Sequence, residues 1–123
     1  MNQLSSTNLS PSSKEIEAEG KKFDENKTRL DLIPPEAIWA LGSALSYGAN
    51  KYGEYNWAKG MQWSRIFAAT LRHLYKWWAG EECDAESGIP HLHHALTNIA
   101  FACAYSQRGI GKDDRPKKTG PTR

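Results

Sequence analysis

Two cysteines, Cys83 and Cys103, are too few for a disulfide framework, and the chain has no C-x-x-C pair to suggest a cysteine zinc site. Cys103 falls among apolar residues and is expected to pack as a small hydrophobe; Cys83 falls in an acidic stretch. No apolar run approaches the about 18 residues that a membrane-spanning helix needs. Neither charge dominates. Sixteen basic against fourteen acidic residues give a net charge of +2, too weak to argue for nucleic acid, and neither stable nucleic-acid binding nor membrane association is expected. The stretch MNQLSSTNLSPSSKE has no basic start followed by an apolar run, so it does not read as a secretory signal, and the cytoplasm is the expected compartment. There is no Walker loop, no dinucleotide fingerprint and no H-E-x-x-H, and neither Ser64 nor Ser87 has a G-x-S-x-G context.

What is present fits one globular domain. The chain has 123 residues, 39% of them apolar. Residues 1–20 are rich in Ser, Asn and Glu without periodicity and read as a flexible N-terminal arm. Residues 21–112 carry the periodic segments. Residues 113–123, with four basic side chains against two Asp, read as a flexible basic tail, and the composition already loosens from about Lys112. About 90 folded residues make a thin core. Five Trp in so thin a core suggest that some aromatic surface is buried between subunits of a homo-oligomer.

Three helices are predicted, giving an all-α fold: a small bundle of three main helices with flexible termini. The first starts at Pro34-Pro35, because proline fits the first helical turn, and runs through Glu36 to about Tyr47, with Gly48 as its stop. Ala37, Leu41 and Ala44 form its apolar stripe, widened by Ile38 and Leu45. The Gly- and aromatic-rich stretch up to Trp63 shows no alternation and reads as a structured loop. Ser64 is the expected N-cap of the second helix. Phe67, Leu71, Leu74 and Trp78 give that helix an apolar face. Ile66, Thr70, His73 and Trp77 repeat beside it, Arg65, Ala69, Arg72 and Lys76 form the opposite face, and Gly80 ends the helix. The third runs from Pro90 to about Gln107, with Leu92, Leu96, Ile99 and Cys103 as its core stripe.

The chemistry gathers on one face of the third helix. His91, His94 and Asn98 recur at steps of 3 and 4, so they stack on one side and can converge on a ligand. The acidic loop EECDAESGIP lies just before them. Imidazoles with the carboxylates of Glu81, Asp84 and Glu86 suit a divalent metal; Mn, Fe and Zn accept nitrogen readily, whereas Mg prefers oxygen. His73 lies on an inward face and gains meaning if its helix packs against the third at the level of His94. Glu36 stands in a first helical turn, where the helix dipole also favours an acid. Lys27, Arg29, Lys51 and Arg72 have the chemistry to hold phosphates. Tyr52 and Trp57 offer faces on which a base could stack.

The runs KFDENKTRLDLIPPEAIWAL, YGANKYGEYNW and SRIFAATLRHLYKWWAGEECDAESGIPHLHHALTNIAF resemble the phage dATP/dGTP diphosphohydrolase family over about Lys22 to Asp114. The combination of LIPPEA, KYG, RHL, GE and D-x-ESG-x-PH carries the resemblance. It implies a relationship to all-α nucleotide pyrophosphohydrolases of the MazG type, which carry E-x-x-E on one helix and E-x-x-D on the next and bind Mg. This chain departs from that pattern, with His73 and Lys76, then His91 and His94, at the same three-residue step. The implied activity is hydrolysis of deoxynucleoside triphosphates to monophosphate and pyrophosphate with a divalent metal, Mg or Mn, adjusting a phage nucleotide pool. On that reading Glu81, Asp84, Glu86, His91 and His94 surround the metal, with Asn98 and His73 in support. Glu36 or Glu86 orients the water, Lys27, Arg29, Lys51 and Arg72 meet the triphosphate, and the purine lies against Tyr52 or Trp57. The alternatives are another all-α phosphohydrolase with His and Asp ligands and a non-enzymatic helical nucleotide-binding or interaction module. The adjacent His-Asp pair that marks the first is missing: Leu74 follows His73, and Ala95 follows His94.

Overall fold

The computed structural model describes residues 19–117, and the chain divides into two units at Leu30/Asp31. The expected N-terminal arm through residue 18 and the end of the basic tail from residue 118 lie outside the described residues. In the first unit, residues 24–27 make a tight turn in which the Lys27 N–H donates to the Asp24 carbonyl at 3.1 Å and Asn26 takes φ 66°.

The second unit is all-helical. We label its long helices α1 (Pro35–Tyr52), α2 (Trp63–Trp78) and α3 (His91–Arg108). A 3-10 turn, Asn56–Lys59, links α1 to α2, and the described residues contain no strand, only two isolated bridges. α3 is the hub: α1 and α2 both pack on it far more than on each other. The side that α1 and α2 leave uncovered between them is the cleft described below.

Helix α1 runs past Gly48, which has ordinary helical φ, and stops at Gly53, whose φ of 97° suits only glycine and whose N–H donates to the Ala49 carbonyl at 2.9 Å. The predicted stop was one turn early. An interior glycine costs about 1 kcal/mol but does not by itself end a helix, and Lys51 in the added turn pairs with Glu86. Lys51 and Tyr52 are therefore fixed on a helix, not on a loop.

Ser64 is not the N-cap of α2. Gln62 holds that position without a side-chain cap bond, and the cap is supplied from 50 residues away. Asp114 accepts from the Ser64 N–H at 2.9 Å and from the Ser64 hydroxyl at 2.5 Å, which holds the Asp114 carboxyl below its ordinary range. Residues 110–115 thus form a clasp along the start of α2. The Trp63 indole donates to the Ile110 carbonyl at 3.0 Å, the Trp63 N–H to the Lys112 carbonyl at 2.9 Å, and the Arg115 guanidinium lies 4.8 Å from the Trp63 ring centre. Gly111, at φ 80°, passes so close that a Cβ there would lie 2.4 Å from the Met61 carbonyl oxygen.

Burial corrects the predicted stripes. On α3 the buried residues are His91, Ala95, Thr97 and Tyr105; Leu92, Ile99 and Cys103 are exposed. Small Ala95 lets neighbouring helices approach, and His91 tolerates full burial because it is hydrogen-bonded, so hydrophobicity alone picked the wrong side. On α2 the Ile66, Thr70, His73, Trp77 face turns inward, while Phe67 and Trp78 are exposed. On α1, Ala40 and Ala44 are buried, and Ile38 and Leu45 face outward. Tyr105, fully buried, donates its hydroxyl to the Trp57 carbonyl at 2.7 Å and so ties the 3-10 turn to α3.

Candidate metal centre and cleft

Helices α2 and α3 run side by side so that His73 meets the N-terminal turn of α3. The His73 ring stacks on His94 with centroids 4.6 Å apart and 20° between planes. This is the packing that the sequence made a condition for His73 to matter. The His73 and His91 Nδ1 atoms lie 2.8 Å apart. Asp84 completes the group: one ligand atom each from His73, Asp84 and His91 lie within 4.8 Å of one another.

The acidic loop is an ordered turn, not a free connection. Cys83 and Pro90 form an antiparallel bridge, and the Asp84 N–H donates to the Ile89 carbonyl at 2.8 Å. The Ser87 N–H donates to Asp84 Oδ2 at 2.8 Å, the main reason that the Asp84 carboxyl sits below its ordinary range. Asp84 is thus held ionised and aimed. His91 is fully buried, and its Nε2 lies 2.6 Å from Glu81 Oε2. Glu81 accepts the Nε2 proton, and the Nδ1 lone pair is turned toward His73 and Asp84. A carboxylate behind an imidazole is the arrangement that fixes the ring of a metal-binding histidine. Burial, then the neighbouring His94 and His91, lowers the His73 pKa to about 4, so His73 is a neutral lone-pair donor at physiological pH. Burial likewise lowers that of His94.

The chemistry of this donor set fits a divalent cation. Cis ligand atoms about 2.1 Å from an ion in an octahedral shell are about 3 Å apart, close to the separation of the two Nδ1 atoms. Two imidazoles and one carboxylate suit Mn, Fe or Zn better than Mg, which favours an all-oxygen shell.

The other expected ligands are placed differently. His94 Nε2 is 2.7 Å from the Ser87 hydroxyl, which also receives the Ile89 N–H at 3.1 Å. Glu86 is paired at 2.5 Å with Lys51, whose own pKa is raised chiefly by that contact. Ser87 had no motif to mark it; its signal is only the Asp-x-x-Ser spacing of a turn.

His73 and Asp84 line a cleft of about 1280 Å³ between α1 and α2, floored by α3, and His91 is buried behind them. Of the expected residues, Lys51, Tyr52, Trp57, Arg72, His73, Asp84, Glu86, His94 and Asn98 all line it. Arg65, unmarked in the sequence beyond its basic face, joins them. Glu36 does not: it is exposed in the first turn of α1, eight residues, or about 12 Å of helix, before the first lining residue, Ala44. Lys27 and Arg29 belong to the first unit. Trp57 lies in the cleft wall, and its ring already has two partners. Phe101 stacks on it at 5.3 Å and 14°, and the Arg108 guanidinium is 5.3 Å from its ring centre. It is a wall, not a free stacking surface.

Residues 17–115 match the family described as dATP/dGTP diphosphohydrolase, N-terminal. The chain belongs to that family. A dATP/dGTP diphosphohydrolase of Salmonella phage PMBT28 is 32% identical over 96 residues, which cover 78% of this chain and 33% of that protein. The chain therefore spans about a third of the length of this relative. No solved structure matches it. Among the described residues, no helix is long and apolar enough to cross a membrane.

Proposed function

We propose that this dATP/dGTP diphosphohydrolase-family chain hydrolyses deoxynucleoside triphosphates of the dATP/dGTP class to monophosphate and pyrophosphate. We further propose that the reaction centre is the cluster of His73, Asp84 and His91. The observation that supports this most is that His73 and Asp84 of that cluster line a cleft also lined by Lys51, Arg65 and Arg72. A metal-binding set beside three cations is what a triphosphate requires.

A divalent cation, Mn or Mg, held by His73, Asp84 and His91 would polarise phosphate oxygens and acidify a water. Glu81 fixes His91 from behind, and Ser87 fixes Asp84 and His94. Arg72 and Arg65 hold the triphosphate along α2. Lys51 releases Glu86 when it takes up phosphate charge, and the freed Glu86 carboxylate orients the attacking water. Of the two acids expected in that role, only Glu86 lines the cleft. The kinship to MazG-type enzymes belongs to this proposal, with histidine in place of their glutamates.

The test is incubation of the protein with each deoxynucleoside triphosphate and Mn or Mg, with the products separated. Monophosphate plus pyrophosphate from dATP and dGTP is the expected result. The donor set of two His and one Asp also favours a second reading, a His/Asp-type phosphohydrolase. Release of intact triphosphate would select it.

A further inference from the structure

We propose that Asn98 is the specificity-determining residue of the cleft and selects purines by donating its amide N–H to the ring N7. The inference rests on the deoxynucleoside triphosphate reading above. Asn98 lies on the α3 floor of the cleft, four residues after His94 and three before Phe101, so all three share one helical face. Phosphates held at the His73, Asp84 and His91 end leave the base one or more turns further along that face. Trp57 already stacks on Phe101 and holds the Arg108 guanidinium against its ring, so it has less face to offer the base. Stacking, on Tyr52 or elsewhere, accepts any base, so discrimination between purine and pyrimidine comes from an edge.

Two neutral hydroxyls close to that face are spent. The Thr97 hydroxyl donates to the His93 carbonyl at 2.8 Å, and the Ser87 hydroxyl meets His94. Asn98 is half-buried, and its amide has no partner among the described residues. Asparagine is a poor helix former, so the helix gains nothing from it there. Asn56, also half-buried in the cleft, stands on the 3-10 turn rather than on the helix that carries His91 and His94.

An amide fits both purines. Adenine offers N7 as acceptor and N6 as donor, so the amide N–H and oxygen engage both. Guanine offers N7 and O6, both acceptors, and keeps the N–H contact. Pyrimidines have no N7. One side chain therefore admits two bases and rejects the other two.

The experiment compares dATP and dGTP with their 7-deaza analogues, in which N7 is a C–H. It measures kcat/KM by pyrophosphate release and, separately, binding by calorimetry. The wild-type chain should prefer dATP to 7-deaza-dATP by about tenfold, the value of one hydrogen bond. N98A should erase that preference while still releasing pyrophosphate. N98D keeps the shape but, when ionised, only accepts; it should erase the preference too and covers the case in which N98A fails to fold. Equal handling of dATP and 7-deaza-dATP by the wild type overturns the inference, as does a preference that survives N98A, or one erased only by N56A. If nothing is hydrolysed but binding still discriminates N7 through Asn98, the hydrolytic reading falls and this one stands. If dATP is neither hydrolysed nor bound, both fall.

Discussion

His91 is the fixed point of the site. It is fully buried, and Glu81 takes one nitrogen while the other faces His73 and Asp84. A carboxylate in that position raises ligand basicity and locks the ring, so E81Q should weaken binding of Mn roughly 10–100-fold by calorimetry while leaving the fold intact. Unchanged affinity would mean that His91 needs no such support. His73 sets the acid response. Its folded pKa of about 4 lies below its ordinary value of 6.5, so between the two the unfolded chain takes up a proton that the native chain refuses. The metal-free protein should therefore melt at progressively lower temperature as pH falls from about 6.5 to about 4, with His94 adding in the same direction. H73Q should flatten that slope. Part of the arrangement was legible in the sequence: the steps between His91, His94 and Asn98 put them on one helix face beside the acidic loop. But His94, expected as a ligand, meets Ser87, and it is His73 that stands with His91 and Asp84. Which carboxylate turns inward was not legible. Asp84 points at the cluster because Ser87 and Ile89 close a turn around it, and no pattern of residue types encodes that closure.

At the scale of elements, the three helices and their order follow from periodicity, proline and glycine. The ends deviate wherever a distant residue decides. Gly48 did not stop α1, because an interior glycine weakens a helix without ending it, and Ser64 did not cap α2, because Asp114 reaches it from beyond α3. The buried side of α3 was misread because its polar His91 and small Ala95 face inward while Leu92 and Ile99 do not. Hydrophobic stripes report burial only when the neighbours are known. The clasp that sets the start of α2 depends on Gly111. Its φ of 80° and the 2.4 Å approach to the Met61 carbonyl leave no room for a methyl group. G111A should cost roughly 1–3 kcal/mol in urea unfolding, from the strained backbone alone. It should also lower activity, because α2 carries His73, Arg72 and Arg65. A variant as stable as the wild type would show that the clasp is not closed in solution.

At the scale of the molecule, the apolar residues left over from the core lie on the outside. Trp39 is 79% exposed, Trp78 81% and Phe67 65%. The sequence already asked for buried aromatic surface between subunits, and these side chains are the ones such an interface would cover. The expected result is a homo-oligomer by light scattering at micromolar concentration, with W78K shifting it toward monomer; a wild-type monomer would leave that expectation unsupported. We propose His73, Asp84 and His91 as the reaction centre of a deoxynucleoside triphosphate pyrophosphohydrolase. The most direct measurement pairs Mn binding with pyrophosphate release from dATP in the wild type and in D84N, which keeps the size of Asp84 but removes its charge. A reaction centre there requires one tight Mn site and pyrophosphate release in the wild type, with both lost in D84N while the fold is kept. Pyrophosphate release that survives in D84N would contradict it and move the chemistry elsewhere on the chain.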